Sequence, residues 1–258
     1  MDESVRQSAL DRALDDTASL VLLYQPIHDA RTGAIYGAEA LLRQRRESGE
    51  LRSAHVISQA AERSPGPELF ALDNMLVKKA YTDAAAWQSR FDVRLNVNLS
   101  PREFQEGDVL GRLRELVTSC GVDTTHVNLE ITETSYIKKP KETMKVLDDL
   151  RELGISLWLD DFGTGHSSLT HLQHFPISGV KVPGSFVKEL PDDKRCRAIT
   201  AGIIRMAHDV GIEVIAEEIE TEAQLECLRE MECDYIQGFL FSKPMECGDF
   251  LKKLENSR

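Results

Sequence analysis

The chain has 258 residues, of which 41% are hydrophobic and 29% are charged, and its formal net charge is −12 at pH 7. These proportions are ordinary for a globular protein and exclude a disordered or fibrous one. The negative charge argues against broad binding to nucleic-acid phosphates, so we expect no DNA or RNA polymer as a partner. A small anionic ligand is still compatible with it, provided that metal ions or a few basic groups reverse the field locally.

The sequence gives no sign of secretion or of membrane insertion. The longest apolar stretch, residues 20–24, is too short to span a bilayer. The first residues, MDESVRQ, lack the basic and apolar regions of a signal peptide. The five cysteines show no CxxC spacing, which favours free thiols in a reducing compartment. We therefore expect a cytoplasmic protein with no membrane contact within this chain.

Short apolar segments alternate with amphipathic segments along the whole chain. After an N-terminal helix over 3–17, strands are predicted at 20–27, 35–43, 93–100, 126–134, 156–163, 179–182, 212–218 and 235–242. Helices are predicted between them, at 53–63, 68–88, 106–119, 141–153, 166–174, 193–209, 221–231 and 246–255. Gly154 and Gly211 each lie between a helical pattern and a strand, where glycines commonly end helices.

The number and order of these elements predict an α/β fold, a modified (β/α)8 barrel of the TIM type. No linker or shift in composition divides the chain, so residues 18–258 are expected to form one barrel domain after a helical extension over 1–17. Residues 28–33, HDARTG, connect the first two strands without room for a helix. This short connection predicts a hairpin and therefore one antiparallel strand in the barrel.

Polar side chains occur toward the C-terminal ends of strands whose interiors are apolar. They are Glu39, Asn98, Glu130, Glu133, Asp160, Asp161, Lys181, Glu217, Glu220 and Gln237. In a barrel these strand ends meet at one mouth, where barrel enzymes have their active sites. So many carboxylates would repel one another unless cations neutralise them, and an all-oxygen donor set favours Mg²⁺ or Mn²⁺ over zinc. The adjacent pair Asp160 and Asp161 would suit two ions about 3.5–4 Å apart, as in two-metal phosphoester hydrolysis.

The pattern of acids alone leaves two other interpretations open. A single acid at a strand end is as often a helix cap or the partner of a surface lysine, although this is hard to sustain for six strands at once. Metal ions, acids and a lysine would also suit proton abstraction by an enolase-type barrel lyase.

Eight short motifs in order along residues 18–250 resemble the EAL-domain family of cyclic di-GMP phosphodiesterases. They are YQPI (24–27), EALLR (39–43), NLS (98–100), LEITET (129–134), DDFGTG (160–165), Lys181, AEEIET (216–221) and QGF (237–239). The resemblance implies a modified barrel with one antiparallel strand. It also implies metal-dependent hydrolysis of cyclic di-GMP to linear pGpG. Members of the family often act as homodimers, and the domain can be a separate protein or part of a larger signalling protein.

The resemblance implies a metal-binding role for six of the matched residues. The ligands of a first ion would be Glu39, Asn98, Glu130 and Asp160. Asp160 would bridge to a second ion that Asp161 also holds, with Glu217 as a further candidate ligand.

The other matched residues would serve the reaction or the substrate. Lys181 and Glu217 match positions that orient and activate the attacking water, and Glu133 and Glu220 match residues that fix the loop after the fourth strand and support the metal ligands. Arg43 matches a contact to a substrate phosphate, for which its planar fork is suited. The positions that line the substrate groove are matched by Gln25 and Gln237.

Among the positions that depart from the family pattern, two lie in motifs of the predicted site. Where the family usually has Lys-Ile-Asp, this chain has Lys181-Val182-Pro183, and proline supplies no carboxylate. If that acid positions the lysine or a bound water, turnover falls and binding survives; the alternative is a neutral substitution. Glu218 replaces a glycine and puts another acid at the mouth or just outside it. The sequence thus favours a phosphodiesterase, with a catalytically weak cyclic di-GMP receptor or interaction module as the alternative.

Overall fold

The computed structural model describes residues 19–53, 68–100, 108–132, 140–164, 172 and 175–257. Its strands are β1 (Leu20–Asp29), β2 (Ile35–Arg45), β3 (Leu51–Ser53), β4 (Arg94–Asn98), β5 (Val127–Thr132), β6 (Ser156–Asp160), β7 (Gly179–Val182), β8 (Glu213–Ala216) and β9 (Tyr235–Ile236). Its helices are α1 (Glu68–Gln88), α2 (Val109–Cys120), α3 (Pro140–Glu152), α4 (Gly184–Val187), α5 (Lys194–Asp209), α6 (Glu222–Glu230) and α7 (Cys247–Asn256).

The strands form a closed barrel with one strand added at its edge. Their order is β1-β9-β8-β7-β6-β5-β4-β2-β3, and an additional pairing of β1 with β2 closes the ring. The strand β1 runs antiparallel to both of its neighbours, whereas the other neighbouring strands of the ring are parallel. The predicted TIM-like barrel with one antiparallel strand is therefore confirmed.

The hairpin between β1 and β2 produces the antiparallel strand. The Asp29 carboxylate accepts bonds from the backbone N–H and the hydroxyl of Thr32, at 2.6 and 2.8 Å, and Gly33 supplies a φ of 74°. The turn holds the two strands in a register that pairs Gln25 with Glu39. Two residues of the predicted site therefore become neighbours through local structure.

Two elements were not predicted from the sequence. All three residues of β3 are exposed, and the strand pairs with β2. It has no buried face, so its sequence shows no apolar alternation that would indicate a strand. The helix α4 is a single turn. The predicted helices at 3–17, 53–63 and 166–174 fall almost entirely outside the described residues, and so does Glu133.

A small apolar cluster separate from the main core consists of Ile27, Trp158 and Ile215, with Tyr36 and Tyr235 packed against it. Alternate residues of a barrel strand face the interior, and Trp158 and Ile215 each come two positions before an acid of the predicted site. The cluster therefore fills the interior beneath the mouth and leaves the mouth itself to polar side chains.

The prediction that two glycines end helices is also confirmed. Gly154 and Gly211 follow α3 and α5 with φ values of 87° and 80°. All five cysteines have free thiols. Within the described part of the chain, no helix has the length and apolar character needed to cross a membrane.

We expect Gly179→Ala to destabilise the barrel. A Cβ at position 179 would lie 2.5–2.6 Å from three carbons of the buried Trp158 ring. The free energy of unfolding should fall by about 1–3 kcal/mol, measured by urea denaturation. Gly202→Ala in α5 is the control, because its Cβ meets nothing within 4 Å and alanine favours the helix. Equal losses in both variants would contradict this description of the packing.

Candidate active site

The ammonium group of Lys181 lies at the centre of the barrel mouth, surrounded by carboxylates. The side chain is only 1% exposed. Its Nζ atom is within 4.0 Å of four acids, at 2.7 Å from Glu217, 2.9 Å from Glu130, 3.4 Å from Glu39 and 3.5 Å from Asp160. These acids belong to β2, β5 and β6 and to the residue after β8. One lysine on β7 therefore connects acids from four parts of the barrel.

Amide side chains hold the Glu39 carboxylate from both sides. Asn98 donates from Nδ2 to one of its oxygens at 2.8 Å, and Gln237 donates from Nε2 to the other at 2.8 Å. Gln237 also donates to the side-chain oxygen of Gln25 at 3.3 Å. The structure thus brings these four predicted residues together, although Glu39 lies within β2 rather than at its end.

Asp160, Asp161 and Glu217 form a compact group of carboxylates, with oxygen atoms within 4.8 Å of one another. Asp161 follows β6 directly, in a left-handed backbone conformation with a φ of 54°. Its backbone N–H donates to the Asp160 carboxylate at 3.0 Å. Hard divalent cations prefer ligands of this kind, so these three residues fit a metal site.

The surroundings of Lys181 separate the pKa values of the acids. Burial raises the pKa of Glu130 well above its usual value, and repulsion from Glu39 adds to the rise. Burial also raises the pKa of Glu217 to about 7, against the opposing effect of Lys181. For Glu39 burial acts in the same sense, but Lys181 and the two amides outweigh it and lower the pKa. Burial disfavours the charged form of Lys181 too, yet the four acids raise its pKa.

A cavity of about 700 Å³ opens beside this cluster. It is lined by Gln25, Glu39, Leu41, Arg43, Asp160, Glu217, Glu218, Glu220, Gln237, Gly238, Phe239 and Pro244. All three predicted substrate contacts are among these residues. The apolar members were not predicted, although Leu41 shares the strand face of Glu39 and Arg43 and could have been found by alternation.

Glu220 lines the cavity but is not one of the four acids within 4.0 Å of the Lys181 ammonium. Its backbone N–H donates to Gln224, which also completes a capping box with Thr221 at the start of α6. The position of its backbone is therefore fixed by the helix terminus.

Two buried amides next to the cluster were also missed. Asn96 donates from Nδ2 to Glu130 at 2.7 Å, and Asn128 donates from Nδ2 to the side-chain oxygen of Asn96 at 2.9 Å. Strand alternation could have indicated both residues, because Asn96 shares a strand face with Asn98, and Asn128 shares one with Glu130.

The two departures from the family pattern lie close together in the structure. Pro183 is buried and precedes α4, and its carbonyl accepts the N–H of Phe186 at 3.0 Å. A Cβ on the next residue, Gly184, would lie 2.7 Å from the Cβ of Glu218. Glu218 has a φ of 57° and lines the cavity. The absence of a side chain at 184 therefore makes room for the extra acid at the edge of the mouth.

Comparison with known proteins agrees with this geometry. Residues 7–244 match the family model of the EAL domain. The chain belongs to the EAL-domain family. The relative NbdA of Pseudomonas aeruginosa, a cyclic di-GMP phosphodiesterase, is 33% identical over 247 residues, which are 95% of this chain and 30% of that protein. This EAL domain spans about a third of the length of the curated relatives that it matches first.

Solved structures of EAL proteins share the barrel. The EAL enzyme Bd1971, with cAMP and cyclic di-GMP bound, superimposes with a TM-score of 0.91 at 30% identity, covering 98% of this chain and 70% of that one. The PaMucR phosphodiesterase in complex with c-di-GMP has a TM-score of 0.87 at 29% identity, covering 95% of this chain and 99% of that one.

The raised pKa of Glu217 makes the stability of the metal-free protein depend on pH. Between the usual value of 4.5 and about 7, the folded protein holds a proton that the unfolded chain has lost, so stability falls as pH rises through this window. In EDTA, we expect the wild type to lose about 1–3 kcal/mol more than Glu217→Gln between pH 5 and 7.5, measured by urea unfolding. Glu218→Gln, which neutralises the adjacent exposed acid, should retain the wild-type dependence. The same profile in all three proteins would contradict the assignment to Glu217.

Proposed function

We propose that this EAL domain hydrolyses one phosphodiester of cyclic di-GMP to linear pGpG, using two divalent cations, Mg²⁺ or Mn²⁺. The observation that carries the proposal is the convergence of carboxylates around Lys181 beside a cavity of about 700 Å³. This volume is in the usual range for a small-ligand site. The phosphodiesterase relative and the complexes of EAL proteins with the dinucleotide support the choice of substrate.

The residues fit the proposed ions through their donor atoms. The proposed ligands are Glu39, Asn98, Glu130, Asp160 and Asp161, with Glu217 beside the last two. The Asn98 side chain donates to Glu39 through its amide nitrogen, so the Asn98 amide oxygen could bind a cation. When bound, the ions would polarise the phosphate and lower the pKa of the attacking water.

The side chains around the reacting phosphate would accept a proton from the water and stabilise negative charge. In the hydrolysis, a water oxygen bonds to phosphorus, the bond from phosphorus to a ribose oxygen breaks, and that oxygen gains a proton. Glu217, whose carboxylate lies 2.7 Å from the Lys181 ammonium and beside the proposed metal ligands Asp160 and Asp161, would accept the proton of the water. Lys181 stays protonated among its acids, so it could stabilise the negative charge on the phosphoryl oxygens in the transition state.

The cavity wall would bind the substrate. Arg43 would contact a phosphate, and Gln25 and Gln237 would line the groove, as their positions in the cavity allow. Phe239 is 54% exposed and offers an apolar surface to a base. We further propose that Glu133 and Glu220 support the loop after β5 and the metal ligands, and that the domain acts as a cytoplasmic homodimer.

A cyclic di-GMP receptor with weak turnover is the second candidate function. The observation that favours it is Pro183, which supplies no carboxylate beside Lys181. The cavity and its proposed substrate contacts do not depend on this position.

We expect Glu39→Ala to abolish hydrolysis, because it removes a proposed metal ligand at 3.4 Å from Lys181. Turnover of cyclic di-GMP to pGpG, followed by chromatography with Mg²⁺ or Mn²⁺, should fall at least about 100-fold. Glu246→Ala is the control, since this acid pairs with Arg45 on the surface. Full activity in Glu39→Ala would exclude the proposed site.

Restoring the acid at position 183 distinguishes the two candidate functions. Pro183 precedes α4, and aspartate is favoured before a helix, so Pro183→Asp should fold. If the proline limits turnover, Pro183→Asp should raise kcat about 10-fold or more and leave cyclic di-GMP affinity unchanged. Pro183→Ala is the matched control, because it removes the ring without adding a carboxylate. An active wild type with no gain in Pro183→Asp would make the proline a neutral substitution.

A further inference from the structure

We infer that Asn96 is a positioning residue that holds Glu130 in the orientation required for cation binding. The inference rests on the proposed function, because it takes Glu130 to be a metal ligand. Asn96 is on β4 and lies outside the eight motifs that carry the family resemblance.

The geometry gives the two Glu130 oxygens different partners. The Asn96 amide donates to Oε1 at 2.7 Å, and the Lys181 ammonium is 2.9 Å from Oε2. Asn96 is 0% exposed and Glu130 is 1% exposed, so neither exchanges these bonds for water. The amide therefore selects which oxygen faces the lysine and its acids.

The need for such a restraint follows from the charges around Glu130. Glu39 and Asp160 repel its carboxylate and Lys181 attracts it, while burial deprives it of solvent. The directed bond from Asn96 opposes this repulsion, and hydrogen bonds to charged acceptors are the strong ones. Asn96 supplies a neutral donor that adds no charge to the cluster.

Asn128 contacts the opposite end of the Asn96 amide from Glu130. It donates to the Asn96 side-chain oxygen at 2.9 Å, and the two residues are register partners on β4 and β5. A flipped Asn96 would lose this bond and turn its oxygen toward the Glu130 carboxylate. Asn128 is also 0% exposed, but its amide donates to Asn96 and not to Glu130. The chain thus provides a matched control of the same residue type and burial.

The experiment compares Asn96→Leu, Asn128→Leu and the double variant with the wild type. Each protein is measured for its free energy of unfolding in urea, for Mn²⁺ affinity by electron paramagnetic resonance, and for kcat and KM. Leucine has the same branching and the same number of side-chain heavy atoms as asparagine, and it has no polar atoms; its larger volume affects both single variants alike.

We expect Asn96→Leu to raise the Kd for Mn²⁺ by about 10-fold or more, and Asn128→Leu by no more than about 3-fold, because residues that support a metal ligand typically affect affinity by 10–100-fold. In Asn96→Leu, kcat should fall and KM should stay within about 2-fold. In Asn96→Leu, the buried Asn128 amide loses its acceptor and faces a leucine. The double variant removes that amide as well, so its stability should exceed that of Asn96→Leu while its Mn²⁺ affinity stays weak.

Equal losses of Mn²⁺ affinity in the two single variants, or affinity that recovers with stability in the double variant, would show a structural role only and overturn the inference. The double variant also decides the matter if Asn96→Leu does not fold. If the wild type binds no Mn²⁺, the proposed function fails, and crystal structures then give the answer. A rotated Glu130 in the double variant supports the inference, and an unchanged Glu130 overturns it.

Discussion

The positive charge of Lys181, buried among four carboxylates, is the interaction on which the organisation of the mouth depends. A lysine in an apolar barrel would lose its charge, and four acids without it would repel one another. Together they allow charged side chains to occupy a space from which water is largely excluded. Since the acids come from different strands, the same contacts also set how the strand ends approach one another.

One positive charge does not balance four acids, and this excess of negative charge would attract the cations through which an acidic protein could bind the proposed anionic substrate. A chain with a net charge of −12 would repel a nucleotide diester on approach. Divalent cations bound at the excess negative charge would reverse the sign of the potential where the phosphate has to lie. Arg43 is placed on the cavity wall, apart from the lysine, and would add to the attraction there. The acidity of the mouth is thus compatible with the proposed substrate.

The sequence was sufficient for the barrel and for most of the site because both follow from patterns along single strands. Apolar segments with polar ends placed Glu130, Asp160 and Lys181 at one mouth, and the short connection at 28–33 predicted the antiparallel strand. Contacts between side chains on neighbouring parallel strands were not predicted. The bond from Asn96 to Glu130 requires the register of β4 with β5.

The fit between Gly184 and Glu218 was beyond prediction for a related reason. These two residues are distant in sequence, and neither one alone indicates the other. Glu218 could be interpreted as a solvated acid until its contact with Gly184 placed it at the cavity edge. The exposed strand β3 was missed because pairing with the long β2, rather than burial, determines it.

The reversed direction of β1 also decides where the polypeptide enters the barrel. In a barrel of parallel strands the first strand begins on the face opposite the active site. Here Leu20 pairs with Gln44, close to the mouth end of β2, and the strand then runs inward past Gln25. The chain therefore enters at the rim of the pocket. A mechanical displacement transmitted through the backbone into Leu20 would act on a strand that lines the cavity, without having to cross the barrel.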